Sequence, residues 1–347
     1  MKEFSRLLRD QRSSTIIIAE AGVNHNGSVE MAHQLVNIAA EAGADAVKFQ
    51  TFRSERLVSL STPKAEYQRQ RTGAEETQYE MLKQLELTQE AHEDLFNYCQ
   101  EKDIHFLSTP FDRDSADLLE TLGVEAFKVG SGDITNWSFL EHIAVKGKPI
   151  IISTGMSYLS EVDEAIRVVR RAGNDNLVIL HCVSNYPAEP EDVNLRAMVT
   201  MANALKVPVG YSDHTLGIEI AIAAVAMGAC VIEKHFTLDR QLPGPDHQAS
   251  LEPDEFQQLV TGIRQVEKAL GNGIKAPVES EGPNRELVRR SLIAKCIIPA
   301  GTIITHEMLG ALRPADGLSP ANVHSVVGRI ARITLDPGHK ITWKDLE

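Results

Sequence analysis

Short β-branched or apolar runs recur at Thr15–Ala19, Ala46–Phe49, His105–Leu107, Ala126–Val129, Pro149–Ile152, Leu177–Leu180, Val207–Gly210 and Cys230–Ile232. Between most of them, at Met31–Ala42, Gln89–Lys102, Asp114–Leu122, Ser160–Ala172, Glu191–Ala204 and Ile218–Met227, apolar residues return every three to four positions, and a Gly or Gly-Ala often follows. That period predicts helices, and a closing glycine supplies the left-handed residue of a C-cap. Strands alternating with helices predict parallel pairing through right-handed crossovers. Eight such units in about 270 residues predict an α/β fold, a (β/α)8 TIM barrel. An open doubly wound sheet shares the alternation but needs a glycine-rich phosphate loop after its first strand, and no GxGxxG follows Thr15–Ala19.

The crossover between Phe49 and His105 is longer than one helix requires and is expected to reach over the strand ends as a substrate-covering loop. After the helical segment Pro253–Leu270, the stretch GNGIKAPVESEGPN is rich in Gly, Pro and charge. It reads as a linker, 271–284, between a catalytic barrel, 1–270, and a smaller domain, 285–347. That domain echoes itself: Pro299-Ala300-Gly301-Thr302-Ile303-Ile304-Thr305 before Met308-Leu309 parallels Pro337-Gly338-His339-Lys340-Ile341-Thr342 before Asp345-Leu346. Each half predicts a turn, a short strand and a helical turn, hence a small β-rich module with too little core to stand firmly alone.

Composition narrows the partners. With 347 residues, 43% hydrophobic and 24% charged, the chain can bury a large core and has no disordered bias. Its formal charge of −13 argues against nucleic acid or an anionic membrane surface as partner, so an anionic substrate must be held by a local basic pocket. Four scattered cysteines without a CxxC pair suit a reducing compartment. Neither an apolar leader nor a run of roughly 18 apolar residues is found, and a cytoplasmic protein is expected.

In a parallel barrel all strands deliver their last residues to one mouth. Here they end in Glu20, Lys48 with Gln50, Ser108-Thr109, Lys128 with Ser131, Ser153-Thr154, His181 with Ser184, Ser212-Asp213-His214, and Glu233 to His235. His214 and His235, on consecutive strands, are placed to share a cation, and imidazole with oxygen ligands suits Mn²⁺, Co²⁺, Fe²⁺ or Zn²⁺ better than Mg²⁺. Core-satisfied or general-base histidines fit the spacing as well. Lys48 and Lys128 need counter-charges or a chemical role. With Thr109, Ser131, Ser153 and Ser212 around them they resemble a phosphate cradle; an imine-forming aldolase lysine is the equal rival.

The motifs AEAGVNHNG, VKFQT, STPFD, KVGSGD, STGM, LHCVSNYP, GYSDHT, IEKHFT and GPDHQASL, followed by RPADGLSP, resemble the sialic acid synthase family, which makes N-acetylneuraminate and related nonulosonates such as legionaminate. The C-terminal module resembles the antifreeze-like, or SAF, domain. The resemblance implies condensation of phosphoenolpyruvate with an N-acylated hexosamine, N-acetylmannosamine or a 2,4-diacetamido-6-deoxy analogue. The metal it implies is divalent, Mn²⁺ in the first place and Mg²⁺ or Co²⁺ otherwise, held by His214 and His235. It also implies a homodimer in which the SAF domain caps the partner's barrel. Lys48, Lys128, Thr109, Ser131, Ser153, Ser184 and Ser212 would hold phosphoenolpyruvate. Glu20 would position the metal-bound water, and Gln50, Tyr186, Asp246 and Arg313 would bind the sugar. Two departures stand out. Members making N-acetylneuraminate tend to carry an Asn where this chain reads Thr72-Gly73-Ala74-Glu75 ahead of Tyr79-Glu80, and Ser184 replaces a common Asn. A Schiff-base aldolase, another phosphoenolpyruvate-using synthase, or a non-catalytic carbohydrate-binding protein are the other readings of the same barrel.

Overall fold

All eight apolar runs form parallel strands: β1 Ile16–Gly22, β2 Ala46–Thr51, β3 His105–Pro110, β4 Phe127–Val129, β5 Ile150–Ser153, β6 Leu177–Cys182, β7 Val209–Asp213 and β8 Val231–His235. They follow one another around a single sheet in the order β3-β2-β1-β8-β7-β6-β5-β4, and β3 lies beside β4, so the sheet curls into a TIM barrel. The computed structural model describes residues 14–72 and 75–347. Residues 1–13, on which the expectation about a leader rests, and Gly73 and Ala74 of the long crossover lie outside the described residues. The chain divides after Gly271 into two compact units.

Every strand but β4 runs further toward the mouth than its apolar run suggests, β7 and β8 by three residues each. Strand β7 ends at Asp213 and β8 at His235, so Ser212, Asp213, Glu233 and His235 lie within ladders, not in the turns after them. Helix ends follow local chemistry. Ser28 accepts the Met31 N–H ahead of Val29–Ala42, and Gly43 closes that helix at φ 82°. Gly123 does the same for Arg113–Leu122 at φ 91°. The helix expected over Glu191–Ala204 is instead two, Pro190–Val193 and Arg196–Leu205, because Asn194 between them takes the left-handed conformation. Within the long crossover lie three short helices, Ser54–Leu57, Glu66–Thr72 and Gln78–Leu85.

Period-two alternation divides the core. One set of strand residues, including Ile16, Ile18, Ala46, Leu107, Ala126, Ile151, Val178, Leu180 and Val231, packs together as the barrel interior. The alternate set, such as Ile17, Val47, Phe106, Phe127, Ile152, Ile179 and Tyr211, packs under the helices. Each fully buried aliphatic side chain contributes about 1.5–3 kcal/mol, which sets the register against a one-residue slip. Continuing the inward row by two positions reaches Glu20, Lys48, Thr109, Lys128, Ser153, Cys182, Ser212 and Glu233, so the apolar plug ends in a polar ring.

In the second unit, β9 Ser291–Ala294 pairs antiparallel with β10 Leu309–Leu312 over a core of Leu292, Ile298, Ile304, Val326, Leu335 and Ile341. The echo appears as left-handed turn glycines, Gly301 and Gly338, and 3-10 turns at His306–Met308 and Trp343–Asp345. The short strand expected in each half is a single bridge, Ile303 with Ile330 in the first and Lys340 with Ile293 in the second. The stretch read as a linker contains a 3-10 turn, Glu279–Glu281, and the start of a helix, Gly282–Val288.

Candidate active site

Four charges alternate across the polar ring. Lys48 Nζ lies 2.6 Å from Glu20 and 3.7 Å from Glu233, and donates to Thr109 Oγ1 at 2.9 Å. Lys128 Nζ lies 3.7 Å from Glu233 and donates to Ser153 Oγ at 2.7 Å and to the Val129 carbonyl at 3.2 Å. Ser212 donates to Glu233 at 2.8 Å. All are buried, Glu20 at 2% and Lys48 and Lys128 at 3% exposure, so each charge depends on its partners. Burial pushes the Glu20 carboxyl up to about 7 against the pull of Lys48. Burial acts the same way on Glu233, but Lys128, Lys48 and the Ser212 hydroxyl outweigh it and hold that carboxyl at about 2. For Lys48 two carboxylates overcome desolvation and raise its pKa, whereas desolvation wins at Lys128 and lowers it.

Beside this ring, the His214 and His235 ring centroids are 5.5 Å apart. His214 Nδ1 is 2.6 Å from the Val183 carbonyl, which makes it the protonated nitrogen and leaves Nε2 with a lone pair. His235 Nδ1 is buried without a hydrogen-bond partner. Burial lowers both pKa values and keeps the rings neutral, the form that ligates metals. Such a donor set fits a divalent transition metal. Among the described residues no group of three or more His, Cys, Asp or Glu is placed to hold an ion, so a metal on these two histidines would take its other ligands from water or substrate. The Tyr186 ring lies tilted against His214, with centroids 4.1 Å apart.

The other expected residues fall around the same mouth, with one exception. Ser131, just past β4, accepts the Gly155 N–H at 2.9 Å and lies 3.2 Å from Cys182 Sγ. A Cβ on Gly155 would run into the Ser184 hydroxyl, so this glycine lets Ser131, Ser184 and Cys182 converge. Gln50, at the end of β2, pairs in register with Thr109. Asp246, in the loop after β8, is 7% exposed, and burial raises its carboxyl to about 6 while Arg71 draws it down. Arg313 belongs to the second unit, where it is exposed.

Some of the machinery is not evident from the sequence. Glu233 reads there only as a strand-end charge, yet it bridges both lysines; its inward parity with Val231 is the available signal. Asp213 and Lys234 have the opposite parity and form a fully buried ion pair at 2.8 Å, with Asp213 also accepting from Tyr211 and Thr215. The pair ties β7 to β8 next to His214 and His235. His247, in the GPDHQASL motif after β8, is buried, 2.6 Å from the Thr237 hydroxyl and 3.1 Å from Asn26.

Comparison with known proteins agrees with this arrangement. The chain matches the NeuB family over residues 35–275 and the SAF domain over residues 289–347. It is 49% identical to the N,N'-diacetyllegionaminic acid synthase of Legionella pneumophila, over 98% of this chain and 96% of that one. The Campylobacter jejuni enzyme of the same name is 50% identical over 91% of this chain and 96% of its own length. Among solved structures, the N-acetylneuraminic acid (sialic acid) synthetase of Leptospira borgpetersenii superposes with a TM-score of 0.70 at 37% identity, covering 79% of this chain and 90% of that one. Both sequence and fold lead to one assignment: this chain belongs to the NeuB family of enzymes, and its C-terminal part is a SAF domain.

Proposed function

We propose that this chain is a nonulosonic acid synthase that condenses phosphoenolpyruvate with a 2,4-diacetamido-6-deoxy hexose, or with N-acetylmannosamine as a poorer acceptor, giving a legionaminate-type 2-keto-3-deoxy acid and phosphate. The observation that carries the reading is the pair of buried lysines set among hydroxyls at the barrel mouth. Two ammoniums balanced by two carboxylates form a neutral site that an anion can enter by taking over the lysines. Lys48 and Lys128 then hold phosphate and carboxylate, with Thr109, Ser131, Ser153, Ser184 and Ser212 as further donors.

C3 of phosphoenolpyruvate bonds to the aldehyde carbon of the open-chain sugar, the aldehyde oxygen takes up a proton to become a hydroxyl, and positive charge develops at C2. Water adds to C2 and loses one proton, which balances the one taken up, and the C2–O bond to phosphate breaks as the new C2 hydroxyl passes its proton to the departing phosphate and becomes the ketone. Glu20, with a carboxyl near neutrality, suits orienting that water and taking its proton. His214 and His235 would hold the divalent metal, Mn²⁺ for preference, which supplies Lewis-acid polarisation of the aldehyde. Gln50, Tyr186 and Asp246 line the part of the mouth suited to the sugar. Arg313 would complete that part from a partner subunit in a homodimer whose SAF domain caps the neighbouring barrel.

Phosphate release tests the reading. With phosphoenolpyruvate and Mn²⁺, the 2,4-diacetamido-2,4,6-trideoxy hexose should turn over with kcat/KM about tenfold or more above N-acetylmannosamine. Chelation should abolish the release. Absence of phosphate with every acceptor would refute the synthase, and full turnover after chelation would refute the metal.

A further inference from the structure

The geometry points to Arg71 as a positioning residue of the acceptor-sugar subsite, its guanidinium tying together the loops that carry Tyr186 and Asp246. This rests on the synthase reading of the mouth. Arg71 lies on the helix Glu66–Thr72 of the long crossover after β2. Its Nη1 donates to the Pro245 carbonyl at 2.6 Å and its Nη2 to the Tyr186 carbonyl at 2.9 Å. These acceptors come from the loops after β8 and β6, which have no sequence proximity to Arg71 or to each other.

One planar fork therefore fixes the backbone of Tyr186, whose ring rests on His214, and the residue preceding Asp246. The helix that presents the fork is itself anchored from within the crossover. Lys64, 4% exposed, donates to Thr72 Oγ1 at 2.8 Å and pairs with Glu76 at 2.7 Å, next to Arg71 in the chain. Arg71 also forms part of the wall of a cavity of about 420 Å³ with Asn26, Glu76 and Gly244, so its outer side faces open space and not packed core. The cradle of Lys48, Thr109, Lys128, Ser153 and Ser212 is built on strand ends and shares none of these bonds. Ser184, two residues before Tyr186, is the one proposed phosphoenolpyruvate donor on a loop the fork reaches, so losing the fork should loosen chiefly the sugar side of the mouth.

The test is steady-state kinetics of Arg71→Ala and Arg71→Lys with each substrate varied in turn, alongside hydrogen exchange of the free proteins. Arg71→Ala should raise the acceptor KM roughly 10- to 100-fold and leave the phosphoenolpyruvate KM within about twofold. Arg71→Lys keeps the charge but not the two separated nitrogens of the planar fork, and should recover only part of the loss. An unchanged acceptor KM, an equal rise for both substrates, or full rescue by lysine would overturn the proposal. Exchange reads the latch without turnover: the amides of Tyr186, Ala188, Gly244, Asp246 and His247 should exchange faster in Arg71→Ala while β1–β8 do not change. If wild type releases no phosphate, the synthase reading fails by itself; unchanged exchange in these two segments would overturn the latch in either case.

Discussion

Lys128 has two chemistries open to it, and its surroundings separate them. Desolvation lowers its pKa, which an imine-forming amine requires, but its Nζ is committed to Ser153, the Val129 carbonyl and the Glu233 carboxylate. A charge partner bound on three sides should tolerate arginine better than a nucleophile would. Lys128→Arg is expected mainly to raise the phosphoenolpyruvate KM, and borohydride treatment with a keto acid should leave no adduct on Lys128 by mass spectrometry; a stable adduct would restore the aldolase. Asp246 provides the pH signature. Burial raises its carboxyl to about 6, above the ordinary 3.8, so it is ionised above pH 6 and, in the proposed sugar-binding role, would accept from sugar hydroxyls there. The acceptor KM should rise as pH falls through 6, and Asp246→Asn should flatten that limb of the profile. Folding favours the protonated form, so this contribution to stability is complete below pH 3.8 and lost as pH rises through 6. Asn at this position should therefore raise Tm more at pH 8 than at pH 4, and the opposite ranking in a thermal melt would contradict the assignment.

At the scale of elements, alternation along the strands makes most of the mouth legible in the sequence. An inward row that begins Ile16-Ile18 must continue to Glu20, and one that begins Ala126 must continue to Lys128. The same rule names Glu233 after Val231 and sends Asp213 and Lys234 outward. It is hard to apply there because a Glu-Lys-His triplet at a strand end looks like solvent-facing charge until the strand is known to extend to His235. Pairings such as Arg71 with the Tyr186 and Pro245 carbonyls leave no trace in spacing, since they join loops whose relative placement only the closed barrel sets. A turn after β5 shows how tightly these loops depend on one another. Gly155 packs where any Cβ would meet the Ser184 and Ser131 hydroxyls and Cys182 Sγ. Gly155→Ala must move at least one of them, at a cost on the order of 1–3 kcal/mol. About tenfold weaker phosphoenolpyruvate binding, with the acceptor KM nearly unchanged, is the expected result in a titration of each substrate.

At the scale of the whole molecule, the barrel supplies all expected site residues except Arg313, which belongs to the SAF unit. Such a division has a purpose if the second unit of one subunit serves the barrel of another, since neither chain is then complete alone. An arginine donating to the acyl carbonyl of the sugar forms a charge-assisted hydrogen bond, and its removal from a desolvated site costs about 2–4 kcal/mol. Arg313→Ala should accordingly lower kcat/KM for the acceptor roughly 30- to 1000-fold with little change in phosphoenolpyruvate binding. On the proposed metal role, His235→Ala should abolish turnover while Arg313 stays intact. Mixing the two inactive variants under conditions of subunit exchange forms heterodimers in which one mouth combines an intact His235 with an intact Arg313. Statistical exchange makes about half the dimers mixed, each with one competent site of two, so activity should return to about a quarter of wild type. If exchange is demonstrated with differently tagged subunits and the mixture stays inactive, Arg313 serves its own barrel and the dimeric site is ruled out.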